Sequence, residues 1–66
     1  MRITYDSEAR AGYLYLTGSI QPGEAKKTVP VTDSINLDFD AEGRLIGIEL
    51  LDPALFHPKL MAMAEK

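Results

Sequence analysis

The sequence predicts an α+β fold: a four- to five-stranded antiparallel meander sheet with one short C-terminal helix packed on one face. Three observations predict it. Apolar residues recur with period two over most of residues 1–52, as they do in half-buried strands. Glycine, proline, asparagine and aspartate punctuate these runs at short intervals. The period then changes over residues 53–66, where Phe56, Leu60 and Met63 fall on one stripe at helical spacing.

The elements follow in order. Arg2 to Tyr5 reads as a first strand, and Asp6-Ser7-Glu8-Ala9-Arg10-Ala11 as a polar turn. Gly12 to Thr17 alternates, with Leu14 and Leu16 on one face and Tyr13 and Tyr15 on the other. Gly18 to Gly23 is loop chemistry. Lys26 to Val31 is a weaker strand, and Pro30, which lacks a ladder donor, assigns it to a sheet edge. Ser34 to Asp40 turns Ile35, Leu37 and Phe39 one way and Asn36, Asp38 and Asp40 the other. Ala41-Glu42-Gly43 is a turn, and Arg44 to Leu51 returns as a strand apolar on both faces, which places it centrally. Asp52 is a helix cap before Pro53. Pro58 would clash with the preceding turn of a continuous helix, so a single turn over Pro53 to Phe56 and a helix over Pro58 to Glu65 are expected.

Sixty-six residues make a single domain, 1–66, with no linker or internal repeat. A chain of this size buries only about 60% of its unfolded surface. It has no cysteine for a disulfide or a thiolate zinc site, and one histidine. Tight packing or self-association is what remains to hold it. Hydrophobic content of 45% against 26% charged residues describes a globular chain rather than a disordered one. Leu45 and Leu51 fall with Tyr13 and Tyr15 on the face opposite the helix. One helix cannot cover two apolar faces, and a twofold-related copy is the simplest second cover. The expected interface draws on Tyr13, Tyr15, Leu45, Leu51, Phe56, Leu60 and Met63.

Seven basic and ten acidic residues give a net charge of −3. The basic residues are scattered, so no stripe matches a phosphate backbone, and nucleic-acid binding by the chain alone is disfavoured. Tyr5, Tyr13 and Tyr15 could stack bases, but sheet-based readers surround their aromatics with basic residues. Packing in an interface is the favoured use. An acidic balance suits a basic protein partner. The N-terminus lacks the apolar stretch of a signal peptide and no run is long enough to span a membrane, so a cytoplasmic location is expected.

Two constellations invite a chemical reading. Asp38, Asp40, Glu42 and Glu49, with Gly43 between, match the spacing of an EF-hand calcium loop. Such a loop joins two helices, whereas this segment lies between strands, where a polar outer face and a glycine turn explain the same residues. A weak cation site at Asp38, Asp40 and Glu42 is the metal alternative; otherwise no metal or cofactor is expected. His57 is the one imidazole, a side chain type suited to general acid–base work, but as a catalyst it would need an oriented partner and a nucleophile. Its place before Pro58 suits an end group of the helix. Asp6, Glu8 and Asp33 sit at turns, where aspartate fixes the backbone.

Two blocks resemble a known family. Tyr5-Asp6-Ser7-Glu8-Ala9-Arg10-Ala11-Gly12-Tyr13-Leu14-Tyr15-Leu16 is similar to its N-terminal signature. Ile35-Asn36-Leu37-Asp38-Phe39-Asp40, then Gly43, then Leu45-Ile46-Gly47-Ile48-Glu49-Leu50-Leu51-Asp52 resembles its C-terminal hairpin. The family is the prokaryotic domain of unknown function numbered 2283. Arg10 replaces a frequent aspartate and Gly12 a frequent larger apolar residue, and residues 53–66 lie outside the pattern. The resemblance implies a small bacterial α+β protein with no established activity, and some members are suspected antitoxins. Two classes of function stay open. One is a non-enzymatic homodimer that sequesters a basic partner such as a toxin. The other is a small-ligand or metal-dependent activity built across a dimer interface from Asp38, Asp40, Glu42 and His57.

Overall fold

The computed structural model describes residues 1–65. Five antiparallel strands, β1 (Arg2–Asp6), β2 (Ala11–Tyr15), β3 (Lys27–Thr32), β4 (Ile35–Phe39) and β5 (Leu45–Leu50), form one sheet. Their order is β1-β2-β5-β4-β3. The strand carrying Pro30 lies at an edge and the two-faced strand β5 lies at the centre, as their compositions require. The meander runs in two pieces, β1–β2 and β3–β4–β5, and the connection after β2 carries the chain to the far edge. Gly18 (φ 87°) and Gly23 (φ 80°) turn that connection in the left-handed region. A 3₁₀ turn (Pro53–Leu55) and helix α1 (Pro58–Met63) complete the chain. Asp52 accepts from Ala54 N at 2.9 Å, capping the turn.

Directly paired residues share a face of a sheet, so the registers define rows across it. One row reads Ile3, Leu14, Ile48, Leu37, Val29, apolar across all five strands. The next reads Tyr5, Gly12, Leu50, Ile35. The C-terminal segment packs on this face. Phe56 lies over Gly12, where any β-carbon would collide with its ring. The same ring meets Tyr5 edge-on, with centroids 5.4 Å apart. Ile3, Leu50 and Phe56 form the buried cluster, with Leu14, Ile35, Ile48, Leu60 and Met61 packed around it.

Three expectations change. Phe56 is 6% exposed and Leu60 packs beside it, so both belong to the chain's own core and not to a free interface. Met63 is 57% exposed. The expected stripe divides because Pro58 sets Phe56 in a separate element, outside the helix that carries Leu60 and Met63. The helix ends at Met63, short of the expected Glu65. Glu65 instead runs beside β1, where its N–H donates to Ile3 O at 2.7 Å and its carbonyl accepts from Tyr5 N. Leu45 also changes company. A bulge opposite Asp38 and Phe39 leaves Ile46 as an extra residue, so Leu45 pairs with Phe39. Leu45 therefore leaves the Tyr13 and Tyr15 face, because Phe39 follows Ile35 and Leu37 along β4.

Candidate functional site

The face away from Phe56 carries two other rows, Arg2, Tyr15, Gly47, Asp38, Thr28 and Thr4, Tyr13, Glu49, Asn36, Pro30. The sequence led us to expect an apolar plane. The registers instead assemble a hydrogen-bonded lattice. Tyr13 crosses diagonally between the rows, and its hydroxyl donates to Asp38 Oδ2. Gly47 makes that crossing possible, since a β-carbon there would meet the phenol of Tyr13. Thr28 donates to the other oxygen of Asp38. Asn36 Nδ2 donates to Glu49 Oε1 at 2.9 Å. The rings of Tyr13 and Tyr15 sit 4.6 Å apart, and the Arg2 guanidinium lies 5.1 Å from the Tyr15 ring centre. Arg2 Nε also donates to both carboxylate oxygens of Glu65, at 2.9 and 3.0 Å.

Burial pushes the Tyr13 hydroxyl pKa well up, and the hydrogen bond to Asp38 adds to the shift. The phenol therefore keeps its proton at neutral pH and acts as a donor, not as a base or nucleophile. Beside the lattice runs an open groove of about 360 Å³, lined by Arg2, Asp6, Tyr13, Glu49 and Glu65 among others.

The remaining sequence candidates lie elsewhere. Asp40 fixes the β4–β5 turn: its Oδ1 accepts from Glu42 N and Arg44 N, each at 2.9 Å, and its Oδ2 accepts from Arg44 Nε at 2.8 Å. Those donors, chiefly the Arg44 backbone N–H, hold the Asp40 carboxyl below its ordinary pKa. Glu42 pairs with the same guanidinium. Asp40 and Glu42 thus share Arg44 while Asp38 serves Tyr13 and Thr28, and among the described residues no three His, Cys, Asp or Glu side chains converge as a metal site. His57 caps α1, its Nδ1 accepting from Lys59 N at 3.0 Å. Leu51 is 42% exposed. Sequence reasoning passed over Thr28, Asn36 and Glu49 as members of one cluster. Gly47 inside a strand was the available signal of a close approach, although it does not name Tyr13 as the visitor.

The family model described as Protein of unknown function (DUF2283) matches residues 2–52. The chain belongs to DUF2283. No curated protein and no solved structure matches it. The DUF2283 span holds all five strands, whereas Phe56 and α1, which cover the sheet, follow it. The bonds among Tyr13, Asp38, Thr28, Asn36 and Glu49 therefore lie within the DUF2283 part of the chain, whereas the Arg2–Glu65 pair and the core draw on both parts.

Proposed function

We propose that this chain is a non-enzymatic interaction module: a cytoplasmic homodimer that binds a small basic protein in the manner of an antitoxin. The observation that carries the reading is the open groove, where Asp6, Glu49 and Glu65 face one guanidinium, Arg2, itself paired with Glu65. Surplus carboxylates beside the Tyr13 ring suit lysine and arginine side chains, through charge and through the ring face. The protonated phenol of Tyr13 and the two hydroxyl donors on Asp38 support binding over turnover, because the groups nearest the groove already serve one another. The net charge of −3 adds a long-range attraction for a basic partner that salt screens.

Co-expression of the chain with the product of the small gene beside its own tests the reading. The expected result is a complex whose affinity falls about tenfold or more from low to high salt and again in Glu49→Gln. No complex at low salt, or a gene with no small basic neighbour, overturns it.

A further inference from the structure

The C-terminal segment covers only part of the face it packs on. In the row Ile3, Leu14, Ile48, Leu37, Val29, the cover reaches as far as the central strand. Val29, Leu37 and Phe39 lie beyond it, only partly buried, with a depression of about 360 Å³ beside Val29 and Phe39. The chain's surface is 4527 Å², against about 4,200 Å² for a compact monomer of its mass. Its radius of gyration is 11.6 Å, against about 10.8 Å for a compact chain of its length. Both departures have the sign expected of a layer that lacks part of its cover.

We propose that two copies of this chain pack face to face through the β3–β4 half of this surface, about a twofold axis perpendicular to the strands. The inference rests on the homodimer reading above and assigns its interface. Both sheet edges are interrupted against strand addition. Glu65 occupies the outer edge of β1. On β3, Pro30 has no N–H to offer and a bulge follows it before Thr32. A face is what remains for self-association. The orientation follows from charge. Lys26 and Lys27 stand at the start of β3 and Asp33 just past its end, and none of the three has an ion-pair partner among the described residues. An axis perpendicular to the strands brings the lysines of one copy over Asp33 of the other, on both sides of the interface. An axis along β3 itself would stack lysine on lysine, and one between β3 and β4 would set the lysines over the end of β4, where Asp40 is already held by Arg44.

The patch is small, at the low end of stable interfaces, so dissociation in the micromolar range is expected. Sedimentation of the full chain from about 1 to about 300 µM tests the assignment. Expected are a reversible dimer, loss of it in Val29→Asp, and about fivefold weaker association in Lys27→Glu and in Asp33→Lys, because each substitution acts twice across the axis. The double variant Lys27→Glu with Asp33→Lys restores wild-type association. That pair of surface positions keeps the test valid if Val29→Asp fails to fold. A dimer indifferent to all these changes, or no rescue in the double variant, overturns the assigned interface and leaves the homodimer reading standing. A monomer at every concentration overturns both.

Discussion

Arg10 sits in the β1–β2 turn at φ 54°, the one non-glycine residue with positive φ among those described. A side chain other than that of asparagine, aspartate or glycine is strained there. Composition marks residues 6–11 as a turn but does not say which of them must be left-handed. Arg10→Asn should therefore stabilise the chain by about 0.5 kcal/mol, read as a rise of a few degrees in Tm. Gly47 gives the opposite expectation. Gly47→Ala forces Tyr13 off Asp38 and should cost about 2 kcal/mol, whereas Tyr13→Phe, which removes only the hydroxyl, should cost about 1 kcal/mol. Equal losses in chemical denaturation would mean that the added methyl costs no more than the hydrogen bond to Asp38.

At the scale of elements, the β4–β5 hairpin carries a pH dependence. Asp40 is held below the ordinary carboxylate range in the folded chain, so the unfolded chain binds its proton more readily. Its stabilising contribution is full above about pH 4 and is lost as the pH falls through the folded-state value. Asp40→Asn can still accept from the turn N–H groups, so it should melt near wild type at neutral pH and lose less stability on acidification. Thermal melts at both pH values check this. The elements themselves were largely legible: Pro30 marked an edge strand, two-sided apolarity marked the centre, and Asp52-Pro53 marked a helical turn. The bulge at Ile46 was not, because period-two reading assumes an uninterrupted pleat and one extra residue reverses everything before it. Leu45 was misplaced for that reason. The lattice was illegible for a related one, since joining Thr28, Asp38 and Tyr13 needs the registers of three pairs of strands at once.

For the whole molecule, size remains the governing fact. Four large apolar side chains, Ile3, Ile46, Leu50 and Phe56, are buried among the described residues, a small core even for 66 residues. If two copies share a face, folding and association are linked, and Tm should rise with protein concentration. Scanning calorimetry over about a hundredfold concentration range reads this directly, and a constant Tm would argue for a self-sufficient monomer. Length and missing staples suggested a partner, and the alternation suggested an apolar face around Tyr13 and Tyr15 for it to cover. The registers fill that side with polar groups.

The place where Phe56 rests on Gly12 joins the family span to a segment outside it. These two positions share one fixed volume, so neither can grow unless the other shrinks. Gly12→Ala should be severely destabilising alone and should recover in part with Phe56→Leu, an interaction energy that a double-mutant cycle measures. The ring of Phe56 thus ties residues beyond the family span to one position inside it, and a larger side chain at position 12 would have to displace that tie.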